Sequence, residues 1–67
     1  MIDITVNGAA ESIPAETTIA QLLERLSLVG KRLAVECNGE IVPRGRHAES
    51  RIAAGDRIEI VVAVGGG

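Results

Sequence analysis

Arg57-Ile58-Glu59-Ile60-Val61-Val62-Ala63-Val64 sets Ile58, Ile60, Val62 and Val64 on one face and Glu59, Val61 and Ala63 on the other. That period of two is the mark of a strand. Ala54-Gly55-Asp56 launches it as a turn, and Gly65-Gly66-Gly67 follows it directly. A strand this apolar is protected only inside a sheet, which predicts a place beside the first strand of the chain. That pairing would be parallel, because a long crossover separates the two strands. The outward face is unusual, since Val61 and Ala63 put apolar surface on it just upstream of the glycines. An apolar patch beside a chain end suggests a docking surface.

Working back from this strand, Ile2, Ile4 and Val6 alternate with Asp3, Thr5 and Asn7. Asn7-Gly8 then supplies the positive φ angles of a tight hairpin turn. A short second strand runs roughly from Ala9 to Ile13 and is closed by Pro14, which cannot donate to a ladder. Thr18-Ile19-Ala20-Gln21 matches a capping box. From that start Ile19, Leu22, Leu23 and Leu26 fall at i, i+3, i+4 and i+7, an apolar stripe with Gln21, Glu24 and Arg25 on the wet side. Gly30 is the predicted C-cap glycine. Leu33, Val35 and Cys37 alternate with Ala34 and Glu36, and Asn38-Gly39 predicts a second hairpin into Glu40-Ile41-Val42. Pro43 stops that strand, and Arg44 to Ser50 reads as irregular or as a single helical turn. The order β, β, α, β, β, β defines an α+β chain: a mixed sheet of about five strands covered by one main helix.

At 67 residues the chain is one domain, near the size at which burial barely suffices for independent stability. Phe, Tyr and Trp are absent, so Ile, Val and Leu must build the core, with Ala filling gaps. The absence of aromatics also removes the stacking platforms that hold single-stranded nucleic acid. A net charge of −2 and a pI near 5.2 argue the same way. The densest basic run is Arg44, Arg46, His47 and Arg51. It reads as a solvated loop balanced by Glu40 and Glu49, with a docking surface for an acidic partner as the second reading. The segment from Met1 to Val6 alternates and carries an acid, unlike a signal peptide. The longest apolar run, Ile60 to Val64, is far too short to span a membrane. A single cysteine, Cys37, allows no internal disulfide and fits a cytoplasmic setting. Its alternation with Leu33 and Val35 makes it core filler rather than a sulfur handler. His47 has no partner at a ligand spacing and is assigned no chemistry. Paired carboxylates and a Ser/His/Asp order are also missing, so catalysis by this chain is not expected.

The candidate working group is therefore the C-terminal carboxylate. Glycine has no Cβ and can lie flat where other residues cannot. Three glycines reach at most about 10 Å beyond Val64. Taken alone, such a tail is equally well read as a frayed end; the fold it hangs from decides.

The segment from Leu33 to Arg44 (Leu33-Ala34-Val35-Glu36-Cys37-Asn38-Gly39-Glu40-Ile41-Val42-Pro43-Arg44) carries a resemblance, together with Gly55-Asp56-Arg57-Ile58-Glu59-Ile60 and Ala63-Val64-Gly65-Gly66-Gly67. In this order the three segments resemble the ThiS family of sulfur carriers in thiamine biosynthesis, almost from end to end. The resemblance implies a ubiquitin-like β-grasp domain over residues 1–64 and a flexible glycine tail over 65–67. It implies that the Gly67 carboxylate is adenylated by an E1-like adenylyltransferase and converted to a thiocarboxylate. Gly65 and Gly66 would thread the partner's channel, Val64 would mark the exit from the sheet, and Val61 and Ala63 would complete the partner-binding surface. The implied partners are that enzyme, a thiazole synthase, and a sulfur donor such as a cysteine desulfurase. The chain has no Gly-x-x-x-x-Gly-Lys phosphate cradle, so no cofactor is expected on it and ATP is used by the activating partner. Two features depart from the family pattern. Gly45-Arg46-His47-Ala48 stands where relatives often carry a bulky aromatic, and the tail has a third glycine. Three other functions share these features: the small subunit of molybdopterin synthase, a ubiquitin-like protein modifier, and a non-covalent interaction module.

Overall fold

Asn7 and Gly8 both take positive φ, 50° and 83°, so the chain reverses in two residues between β1 (Ile2–Val6) and β2 (Ala9–Ile13). Asn38 and Gly39 repeat the device at 53° and 87°, joining β3 (Leu33–Cys37) to β4 (Glu40–Val42). Both are the left-handed pairs that Asn-Gly accommodates with least strain. The computed structural model describes residues 1–63.

Between the hairpins lies α1 (Ile19–Arg25). Its four N-terminal N–H groups, which have no partner inside the helix, are all satisfied. Ile19 donates to the Ser50 carbonyl and Ala20 to the His47 carbonyl, each at 2.9 Å. Gln21 N–H donates to Thr18 Oγ1 at 3.2 Å while the Gln21 side chain accepts from Thr18 N–H at 2.9 Å. Leu22 N–H closes on the Thr18 carbonyl at 2.9 Å. The capping box is thus present, and the loop after β4 completes the cap.

The helix stops earlier than Gly30 would place it. Ser27 adopts φ 59°, Leu28 N–H bonds the Leu23 carbonyl at 2.9 Å and Ser27 N–H bonds the Glu24 carbonyl at 3.1 Å. These are the paired bonds of a Schellman stop. Gly30 serves the following turn at φ 85°, where Lys31 N–H bonds the Leu28 carbonyl at 3.2 Å.

After a 3-10 turn at Arg44–Arg46, the chain enters β5 (Arg57–Val62). The strand order is β2-β1-β5-β3-β4. β5 lies between β1, which it parallels, and β3, to which it is antiparallel. This apolar strand therefore has a neighbour on each edge, as its composition requires. It ends at Val62, with Ala63 outside it, and the expected strand end at Val64 lies outside the described residues.

Ile4, Ile13, Val35, Ile58 and Ile60 from the sheet meet Ile19, Leu22 and Leu23 from α1 in one core. Each such side chain contributes about 1.5–3 kcal/mol on burial, which is what holds a seven-residue helix too short to form alone. Ile52, outside every element, is buried in the same core. Among the described residues, no helix is long and apolar enough to cross a membrane.

Two sequence expectations for the loop after β4 need correction. His47 is buried, not solvated, and its Nε2 lies 3.0 Å from the Val42 carbonyl. A carbonyl only accepts, so Nε2 carries the proton in this bond. Arg51 pairs with Glu16 at 3.8 Å, the one ion pair among the described residues, so Glu40 and Glu49 do not balance the basic run by contact. Both partners are mostly exposed, and such a pair stabilises by at most about 1 kcal/mol.

Candidate functional site

The site is the outgoing end of β5 and the sheet face around it. β1 ends at Val6, and backbone bonds from Thr5 N–H to the Asp56 carbonyl (3.1 Å) and from Asn7 N–H to the Ile58 carbonyl (2.9 Å) tie it to the first half of β5. Beyond them the Asn7 side chain takes over the role of a strand. Its Oδ1 accepts from Ile60 N–H at 2.7 Å and its Nδ2 donates to the Ile60 carbonyl at 3.2 Å. On the other edge, β3 pairs along β5 from Cys37↔Ile58 to Leu33↔Val62, and Ala63 N–H bonds the Arg32 carbonyl at 2.9 Å. The backbone is held from both sides up to Ile60, and on the β3 edge as far as Ala63.

On the face away from α1, the register sets Ala34 opposite Val61, Glu36 opposite Glu59, and Ile41 opposite Glu36. Val61 is 66% exposed and Ile41 62%, large values for branched apolar side chains. Ala34 and Ala63 are also exposed. Two carboxylates directly opposite each other weaken a sheet, yet Glu36 and Glu59 sit in the middle of this apolar surface. An apolar patch with an acidic centre suits a partner that is apolar and basic.

At the start of β5, Asp56 organises a small polar cluster. Its carboxylate accepts from Ala53 N–H (2.8 Å), Asn38 Nδ2 (3.0 Å) and the Cys37 thiol (3.6 Å), while Asn38 Oδ1 accepts from Arg57 N–H at 2.8 Å. Burial pushes the Asp56 carboxyl up, but the three donated hydrogen bonds outweigh it and hold the group below its ordinary range. Cys37 moves the other way: burial raises its thiol, and the Asp56 charge raises it further. A thiol so disposed is a poor nucleophile at neutral pH. Half-buried against the core, it is a structural residue, in line with its alternation. Among the described residues no cluster of His, Cys, Asp or Glu is arranged to hold a metal.

The family model described as the ThiS family matches residues 3–67. The chain belongs to the ThiS family. Over 64 residues it is 38% identical to a thiazole synthase of Paramagnetospirillum magneticum, covering 96% of this chain and 20% of that protein. It is 36% identical to a thiazole synthase of Magnetococcus marinus over the same shares. The chain thus spans about a fifth of the length of these two curated relatives. The crystal structure of the thiamine biosynthesis protein ThiS from Geobacter metallireducens superposes with a TM-score of 0.84 at 28% identity, covering 98% of this chain and all of that one. The mixed five-stranded sheet with one helix is accordingly the β-grasp, α+β fold of ThiS proteins.

Of the site residues named from the sequence, Val61 stands exposed on the outer face and Ala63 at its exit, where Val61 was expected to dock a partner. Val64, Gly65, Gly66 and Gly67 lie outside the described residues. The sequence reading placed Glu59 on this face without assigning it to the site, and did not include Ala34, Glu36 and Ile41, which the register brings to the same surface. Alternation within each strand puts them outward, but only the pairing of β3 with β5 and β4 makes them neighbours.

Proposed function

We propose that this ThiS-family chain is a sulfur carrier for thiamine biosynthesis, a protein cosubstrate rather than a catalyst, acting in the cytoplasm. Residues 1–64 form the rigid body and 65–67 the tail that presents the Gly67 carboxylate. A carboxylate ionises with a reference pKa of about 3.3–3.7 and resists nucleophiles at neutral pH, so it needs activation. An E1-like adenylyltransferase supplies it: the carboxylate oxygen attacks the α-phosphorus of ATP and pyrophosphate leaves. The terminal sulfur of a persulfide, on a donor such as a cysteine desulfurase, then attacks the acyl carbon and AMP leaves; a thiol reduces the resulting acyl disulfide, itself ending in a disulfide, and releases the thiocarboxylate. The thiocarboxylate gives its sulfur to a thiazole synthase. No cofactor is bound by the carrier, since ATP is consumed on its partner.

The observation that carries this reading is the clamped end of β5. The backbone is fixed on both edges as far as Ile60 and on the β3 edge as far as Ala63, so a partner that docks on Val61, Ala63 and Val64 finds the tail at a fixed origin. Gly65 and Gly66 then pass where a side chain could not. The likeness to thiazole synthases and to a thiamine biosynthesis protein supports the pathway. The test is ATP–pyrophosphate exchange by the purified activating enzyme. The full chain supports exchange, and a chain lacking Gly66 and Gly67 does not. Equal exchange with both would refute the reading.

A further inference from the structure

On the helix side of the sheet, a groove of about 340 Å³ opens between the end of α1, the loop from Leu28 to Leu33 and the 3-10 turn after β4. Leu23, Leu28, Val29 and Leu33 give it apolar walls, and Lys31 and Arg44 line it with positive charge. None of its lining residues is acidic, although the chain as a whole carries a net charge of −2. Neither cation has an ion-pair partner among the described residues. Val29 is 66% exposed, so the groove presents an unshielded apolar wall beside unpaired cations.

Its position gives it meaning. Leu33 lies directly opposite Val62 across the β3–β5 ladder, and Ala63 is bonded to Arg32 next to it. The groove therefore flanks the root of the tail from the helix side, while Val61 flanks it from the other. A protein that closes around that root meets both surfaces.

We propose that this groove is a second docking site, which takes a segment of the activating enzyme that presents an apolar side chain next to a carboxylate. The apolar walls bury the side chain, and Lys31 and Arg44 receive the carboxylate. The acidic outer face and this basic groove then read the partner with opposite charge, which fixes the orientation in which the tail is offered. The inference rests on the sulfur-carrier reading for the identity of the enzyme.

The experiment measures pyrophosphate release by the activating enzyme against carrier concentration. It uses the full chain, the double variant Lys31→Glu/Arg44→Glu, Val29→Asp, and Arg25→Glu as a charge control away from the groove. All the substituted side chains are exposed, so the fold tolerates them. The expected result is a KM about tenfold higher for the double variant and for Val29→Asp, on the scale of two lost charge contacts or one lost apolar anchor. The kcat should stay within about twofold and Arg25→Glu should match the parent. An unchanged KM in both groove variants overturns the inference while leaving the sulfur-carrier reading intact. A parent chain that is not activated at all overturns the reading itself, and the inference with it. Two further results would also overturn it by giving the groove another occupant. One is a shift of the amide signals of residues 28–33 on removing 64–67 without any partner; the other is a concentration-dependent dimer abolished by Val29→Asp.

Discussion

Replacing Asn7 with glycine removes the side chain that holds the second half of β5 while leaving the hairpin turn unstrained. Asn7 sits at φ 50°, a conformation glycine adopts freely, so the effect isolates the two bonds to Ile60, at 2.7 and 3.2 Å. Each hydrogen bond contributes about 0.5–1.5 kcal/mol net. Glycine adds about 0.4–1 kcal/mol by loosening the unfolded chain. The sum is about 1.5–4 kcal/mol, against a total of roughly 3–10 kcal/mol for a domain of this size. At about 4–8 °C per kcal/mol, Tm should fall by about 6–30 °C. Circular dichroism gives the Tm, and amide hydrogen exchange shows where the loss lies: Ile60 N–H should exchange faster by more than the global loss accounts for. A fall under about 3 °C, or an Ile60 amide as protected as before, would refute the idea that Asn7 serves as the missing length of β1.

Three further predictions concern other parts of the fold. Ser27→Gly relieves a left-handed serine worth about 1–2 kcal/mol and loses about 0.4–1 kcal/mol through the unfolded state, so urea denaturation should show a net gain, of up to about 1.6 kcal/mol and centred near about 0.8 kcal/mol. Glu36→Lys replaces the repulsion across from Glu59 with an attraction and should stabilise by about 0.2–1 kcal/mol, yet raise the KM for activation because the acidic centre of the outer face is lost. Asp56 has a depressed carboxyl, so its contribution is fully present above its unfolded pKa of about 3.9 and is lost as pH falls through the lower folded value. Acid titration of stability should therefore steepen below about pH 4, and Asp56→Asn should flatten that limb.

Local chemistry made much of this architecture legible before any coordinates. Asn-Gly pairs state their own φ angles, and Thr18 with Gln21 states a helix start, because each depends on residues within four positions. The inward faces followed from alternation, and the parallel place of β5 beside β1 followed from its need for two protected edges. What stayed hidden depends on contacts between distant segments. Ser27 carries no sequence mark of a left-handed stop, since tertiary packing of Leu23 and Leu28 imposes it, and Gly30 drew the helix end toward itself. Ile52 lies in a loop without periodicity, so its burial was invisible. His47 is buried because the loop folds back to cap α1, an event that spans some thirty residues of chain. The outer face was half seen: Val61 and Ala63 came from one strand, while Ile41, Glu36 and Ala34 needed the register of three.

The most direct measurement is fragmentation mass spectrometry of the intact chain after incubation with the activating enzyme, ATP and a sulfur source. Sulfur in place of one oxygen in the C-terminal peptide ending at Gly67 is the predicted result, with the peptides that contain Met1 and Cys37 unchanged. A C-terminal peptide of unaltered mass, or a terminus joined to lysines of other proteins, would contradict it.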